Sequence, residues 1–182
     1  FKDVVKTVDI EKKTSVLMLC SFKEYKGVYD FVELAKLNPN RKFELILNSS
    51  REFIEGFISE QLSVKNLQIH PSQKNVHPFY EKARVVLNLS HPETWIESFG
   101  MTALEAMAYG TPCIVPEKGG ISEVVTSTSG FCISSMNKQS ISQTINAFFD
   151  NHKLYKSYSA AAKKRSNEYS FDNYKRTISF IL

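Results

Sequence analysis

A chain of 182 residues, 42% hydrophobic and 23% charged, fits one globular domain of soluble composition and is long enough to bury a core. The formal charge is only +4, and the densest basic run, Lys163-Lys164-Arg165, is short enough to read as a solvated helix face, which argues against nucleic-acid binding. No window approaches the ~20 apolar residues of a membrane-spanning helix, and no signal-peptide pattern stands at the start.

The run Ser15-Val16-Leu17-Met18-Leu19-Cys20 predicts a buried strand. Apolar residues then recur at Val28, Phe31, Val32, Leu34 and Ala35, the spacing of a helix over 26–37 that Asn38-Pro39-Asn40 stops. A strand at 43–47, a helix at 52–62, a brief strand at 67–69 and a helix near 76–83 follow. The run 85–89 predicts the next strand, and a loop covers 90–98. A helix opening at about Phe99 precedes strands at 113–115 and 131–133, with a short helix at 122–125 between them. Helices at 138–149, 154–169 and 171–181 finish the chain. Alternating helices and near-continuous apolar strands predict a Rossmann-like, three-layer α/β/α domain around a parallel sheet of roughly six strands. Ligands of such sheets bind beyond the carboxyl ends of the strands.

Cys20, Cys113 and Cys132 are an odd number, far apart, without a C-x-x-C pair. Cys113 and Cys132 lie in apolar strand-like runs and are expected as buried, reduced thiols, consistent with cytoplasm. His70, His77, His91 and His152 offer no zinc-ligand spacing with them.

The most informative stretch is Glu97-Ser98-Phe99-Gly100-Met101-Thr102-Ala103-Leu104-Glu105-Ala106-Met107-Ala108-Tyr109-Gly110-Thr111-Pro112. A loop carboxylate is followed by a Gly that opens a helix and by a second carboxylate in the helix body. The Gly lets a ligand approach the first free N–H groups, where the helix dipole favours an anion. Helical side chains lean toward the N-terminus, so Glu105 tilts back toward that anion site. The pattern suits a phosphorylated ligand that also bears hydroxyl groups. On one regular helix the two acids would stand roughly 12 Å apart at ~1.5 Å per residue, too far for a glycosidase pair.

Glu97 and Glu105 enclose seven residues, and the frame E-S-F-G-x-x-x-L-E-A-M-A-x-G-T-P, with the later Gly119-Gly120-Ile121-Ser122-Glu123, resembles the E-x7-E region of retaining, nucleotide-sugar-dependent glycosyltransferases of the two-domain GT-B, group 1 type. The resemblance covers nearly the whole chain, as the C-terminal, donor-binding half of such an enzyme. It implies a hinge over 1–13, the donor-binding domain over 14–168, and a final segment, 169–182, that crosses back to an N-terminal acceptor domain outside this sequence. The chain begins at Phe1 without Met and is expected to be a piece of something longer.

The resemblance also implies roles. Lys26, before Gly27, contacts the diphosphate and neutralises the leaving group; a cation beside a helix N-terminus is otherwise poorly placed. The family's Gly-Arg pair, whose Arg assists, is replaced by Cys20-Ser21, leaving Lys23 as the nearest second cation. Glu97 contacts hydroxyls of the transferred sugar, the Phe99-Gly100 turn seats the donor, and the backbone of Gly100, Met101 and Thr102 holds the diphosphate. Glu105 accepts from the ribose hydroxyls. The loop at Gly119 and Gly120 lines the donor cleft, although tight-turn geometry explains these glycines equally well. The segment Ile69-His70-Pro71-Ser72 seats the nucleobase. His91 and Trp95 shape the sugar pocket or serve structure, and the side chains of Phe99, Met101 and Met107 are expected in packing.

Other frames are missing: no G-x-G-x-x-G follows the first strand, and there is no P-loop, no G-x-S-x-G elbow and no D-x-D metal motif. The resemblance implies a metal- and cofactor-independent transfer of a sugar from a nucleoside diphosphate to a hydroxyl of a glycan or glycolipid acceptor, by an enzyme of the cytoplasm or the inner membrane face. The basic character suits an acidic nucleotide or an anionic membrane surface. The isolated half is expected to be inactive. The alternatives are a GT-B nucleotide-sugar epimerase and a non-catalytic nucleotide-binding module.

Overall fold

The structure, a computed structural model, describes residues 9–170. The elements run β1 (Ser15–Cys20), α1 (Val28–Leu37), β2 (Lys42–Leu47), α2 (Arg51–Glu60), β3 (Leu67–His70), α3 (His77–Lys82), β4 (Ala83–Leu87), α4 (Met101–Ala108), β5 (Cys113–Val115), α5 (Ile121–Val124), β6 (Gly130–Cys132), α6 (Lys138–Asp150) and α7 (His152–Glu168). The strands form one six-stranded sheet in the order β3-β2-β1-β4-β5-β6, every pairing parallel. The order reverses between β1 and β4, so the crevice beyond their carboxyl ends is where a ligand is expected.

The pleat divides the core in two. Val16, Met18, Leu45, Leu47, Val85 and Leu87 pack with Phe31, Ile54 and Phe148 on one face. Leu17, Ile46, Val86, Cys113 and Val115 pack with Tyr80, Ala106, Met107 and Ile121 on the other. Burial on both faces explains why these strands read as continuous apolar runs. Helix α7 starts against the first cluster at Tyr155 and ends against the second at Ala162. Side-chain oxygens of Ser50, Asn137 and Asn151 accept the N–H groups that open α2, α6 and α7.

Several sequence expectations change, the strand expected at 85–89 running over Ala83–Leu87 among them. Helix α4 opens at Met101 rather than Phe99, because Gly100 is left-handed (φ 80°) and ends the loop there. Cys113 is buried, but Cys132 is exposed, because it closes the edge strand β6. The run at 163–165 is not a free solvated face: Lys163 donates to the Ala108 carbonyl, and Arg165 donates to the carbonyls of Glu123 and Val124. Both cations thereby complement helix C-termini. Of the side chains expected in the core or in packing, Met107 is fully buried and Phe99, 39% exposed, packs edge-to-face on Tyr169 with centroids 5.8 Å apart, whereas Met101 is 52% exposed. The expected helix at 171–181 lies outside the described residues. Among those residues, no helix is long and apolar enough to cross a membrane.

Candidate functional site

A cleft of about 330 Å³ opens at the switch point. Its walls are the end of β1 (Met18, Leu19, Cys20, Ser21), Lys26, the residues after β4 (Asn88, Leu89, Ser90), and the continuous stretch Glu97, Ser98, Phe99, Gly100, Met101 and Thr102. Lys26, Glu97, Phe99, Gly100, Met101 and Thr102, which the sequence assigns to one site, are brought together by the fold. Asn88, Leu89, Ser90, Met18 and Leu19 went unnamed; their signal was position alone, at the carboxyl ends of the two strands where the order reverses.

Lys26 ends a short 3-10 turn, Glu24–Lys26, that leads into α1. Its ammonium donates to Glu97 Oε2 at 2.6 Å, and the two side chains are 15% and 22% exposed. Ser90 Oγ lies 3.5 Å from the same carboxylate oxygen. The floor of the cleft therefore holds one cation and one anion that neutralise each other and are only partly screened by water.

Gly100 shapes the mouth. A Cβ there would overlap the Ile121 side chain, so the turn can press onto α5 only without one. The N–H groups of Met101 and Thr102 open α4, and the acceptors that would satisfy them within the helix lie upstream of it. The first α4 bonds near this end run from Ala103 and Leu104 to the Gly100 carbonyl, at 3.0 and 3.3 Å. Unsatisfied amides at the positive end of a helix dipole are suited to an anion.

Gly119 and Gly120 do not line the cleft; they support it from behind. A Cβ at Gly119 would sit 2.6 Å from the Glu97 carbonyl oxygen, and one at Gly120 would overlap the Ser98 carbonyl. Their smallness lets the Glu97 loop settle against α5. Lys23 is exposed and outside the cleft walls. Glu105, half-buried one turn into α4, is also outside them; its Oε2 accepts from the buried Tyr80 hydroxyl at 2.7 Å. Burial, and after it that bond, push the Tyr80 phenol well above its ordinary range, so the hydroxyl stays a donor.

His70 closes β3 with its ring centroid 5.0 Å from that of Phe79, and Ser72 bonds to Asn48 beside it. Neither borders the cleft. Burial lowers the His70 imidazole from its usual value, and its Nε2 has no partner. Trp95 is 49% exposed and stacks on Tyr25, with centroids 5.5 Å apart. Cys20 lies against the cleft with its thiol pushed up to about 12 by burial, which keeps it neutral.

Known proteins share this architecture. Residues 2–165 match the family model described as glycosyl transferases group 1. The chain is 33% identical over 122 residues to N-acetyl-alpha-D-glucosaminyl L-malate synthase of Bacillus anthracis, covering 63% of this chain and 30% of that protein. It is 26% identical to poly(glycerol-phosphate) alpha-glucosyltransferase of Bacillus subtilis (strain 168), over 98% of this chain and 27% of that protein. The structure of Anabaena HepE in complex with UDP and glucose superposes with a TM-score of 0.78 at 16% identity, over 94% of this chain and 48% of the other. The chain thus spans less than half the length of each of these proteins. By its family match and its fold, this chain belongs to the group 1 glycosyltransferases, in the GT-B fold class.

Proposed function

We propose that this chain is the donor-binding half of a retaining glycosyltransferase that moves a sugar from a nucleoside diphosphate to a hydroxyl of a glycan or glycolipid acceptor. One observation carries the reading: a half-buried ammonium, Lys26, and the unsatisfied amides that open α4 line the same cleft, together with an acid, Glu97, that is bonded to Lys26. A diphosphate is the anion that such a mouth fits. Glu97, already engaged by Lys26, then faces the neutral, hydroxyl-rich sugar beside the phosphate. Glu105, oriented by Tyr80, accepts from the ribose. The names of the relatives support the sugar chemistry, and complexes with UDP among the structural neighbours support a uridine nucleotide.

In the reaction the bond from the anomeric carbon to the diphosphate oxygen breaks and a bond to the acceptor oxygen forms. The acceptor proton passes to the departing diphosphate, and leaving on the face of attack keeps the anomeric configuration. Lys26 and the α4 amides stabilise the charge that develops on the leaving group. We assign no metal to this chemistry, in keeping with the GT-B enzymes that the chain resembles. The acceptor site belongs to the other half of the enzyme, so the fragment alone transfers no sugar.

A second reading, a nucleotide-binding module without catalysis, draws on Lys23: it stands outside the cleft, leaving Lys26 as the cation among the lining residues. Isothermal titration with UDP, GDP and ADP and their hexose derivatives tests the shared premise. The expected result is at least one ligand binding below about millimolar, an affinity near −4 kcal/mol or better, that weakens in Lys26→Ala and Glu105→Ala. Binding by none, or binding indifferent to both substitutions, contradicts the donor site. Transfer assays on the full-length enzyme separate the two readings.

A further inference from the structure

The two sides of the cleft come from different strands, and their relative placement decides whether Lys26 meets Glu97. One residue ties them together. The His91 amide donates to the Tyr25 carbonyl at 2.8 Å, and the His91 ring Nε2 lies 2.6 Å from Asp30 Oδ2 on α1. The amides of Thr94 and Trp95 then turn back onto the His91 carbonyl at 3.1 and 2.9 Å, which sets the Trp95 ring on Tyr25. Lys26 Nζ stands 5.4 Å from the Trp95 ring and 5.9 Å from that of Tyr25. A Cβ at Gly27 would overlap Leu89, so the two segments are in close contact there as well.

Asp30 is itself held. Lys138, the first residue of α6, donates to its other oxygen at 2.9 Å and reaches Glu33 at 2.9 Å. A cation at a helix N-terminus is opposed by the dipole, so Lys138 depends on those carboxylates. With both oxygens of Asp30 engaged as acceptors, His91 Nε2 carries the proton and donates. The two side chains are only 28% and 13% exposed, which shields the bond from solvent competition.

We propose that His91 is a positioning residue: by bonding Asp30 through its ring and Tyr25 through its main chain, it fixes the Glu97 loop against the Lys26 segment. The sugar-reading acid and the phosphate-binding ammonium are thereby held in register before the donor arrives. The inference rests on the donor-site reading and deepens it. His91 touches no donor atom; its effect passes through Glu97 and Lys26.

Trp95 is the sole tryptophan of the sequence, so its fluorescence reports on this loop without ambiguity. His91→Ala is expected to make Trp95 more accessible to acrylamide and to weaken UDP-glucose or UDP-N-acetylglucosamine binding about tenfold, the weight of one charge-assisted hydrogen bond, with a smaller loss for UDP alone. His91→Gln, whose amide can reach Asp30, is expected to restore both readouts. In a Glu97→Gln background His91→Ala should cost little more, since the acid it positions is already gone. Asp30→Asn carries the same test should His91→Ala fail to fold. The proposal is overturned if His91→Ala lowers the melting temperature but leaves Trp95 quenching and the sugar-dependent affinity unchanged, or if His91→Gln restores neither. Failure of the unsubstituted chain to bind any nucleotide sugar would sink the donor reading alone, while the quenching arm still decides the clamp.

Discussion

The two edges of the sheet treat polar groups in opposite ways. At the amino edge the buried cations of the described residues, Lys13 and Arg84, donate hydrogen bonds to the fold. Lys13 Nζ donates to the carbonyls of Tyr80 and Ala83, at 3.2 and 3.1 Å, and to Thr111 Oγ1 at 2.7 Å. Arg84 donates to the Phe148 carbonyl at 2.8 Å while its guanidinium lies 4.0 Å from the Tyr155 ring centroid. Asn66 reaches the carbonyls of Ala35, Asn38 and Arg41. At the carboxyl edge the Met101 and Thr102 amides that open α4 have no acceptor within the helix, and Trp95, Ile96 and Met101 stand about half-exposed or more. One edge uses polarity to close the fold; the other holds donors in reserve. The general cost of a buried, unsatisfied group makes the first arrangement ordinary and the second informative.

Substitutions at the two edges should therefore part company. The largest effect is expected from Lys13→Met, which removes three buried hydrogen bonds and the ammonium that makes them. A loss of about 3 kcal/mol, or roughly 10 °C in melting temperature, should appear by calorimetry with nucleotide affinity unchanged in the folded fraction. Lys13 also gives the amino edge a pH signature. Burial lowers its ammonium to about 7, below the ~10.4 of an unfolded lysine. Between these values the unfolded chain holds a proton that the folded chain has released, so this group's contribution to stability rises with pH from about 7 to about 10.4. The melting-temperature gap between the native chain and Lys13→Met should widen over that window; a gap that narrows contradicts the assignment.

Gly120→Ala tests whether the edges separate cleanly. Its Cβ would strike the Ser98 carbonyl, so about 2 kcal/mol of stability and the donor affinity should fall together. Lys26→Ala sharpens the contrast in the other direction. Removing a partly exposed ion pair costs stability by under ~1 kcal/mol, while titration should show the nucleotide diphosphate binding about tenfold more weakly. The smallest effect is expected at Tyr80→Phe, which frees Glu105 of its one described hydrogen bond and should cost about 1 kcal/mol, read as a few-fold loss of nucleotide affinity.

The same contrast explains what the sequence could disclose. The strands were legible because burial on both faces makes their apolar runs continuous: Ser15–Cys20 and Cys113–Val115 fall where the sequence placed them. The Glu97 to Thr102 wall was legible because a glycine-opened helix behind an acid is a local pattern. What depended on packing across distant segments was not. Nothing local distinguishes Lys163 and Arg165, which cap neighbouring helices, from solvated cations, and Cys132 reads as interior until its strand is known to lie at the sheet edge. Gly119 and Gly120 read equally as cleft or as turn residues, and only packing shows that the backbone of Glu97 and Ser98 lies against them. The pairing of Lys26 with Glu97 across 71 positions, and of His91 with Asp30 across 61, is a product of topology and has no signature in either segment alone.

If Lys26 and the α4 mouth hold a diphosphate together, a crystal structure of this chain grown with UDP will show it. A phosphate oxygen should lie within hydrogen-bonding distance of both the Met101 or Thr102 amide and Lys26 Nζ, with Glu97 at its side. UDP bound at another edge of the sheet, or a phosphate away from those amides with Lys26 bonded to Glu97 alone, would contradict it.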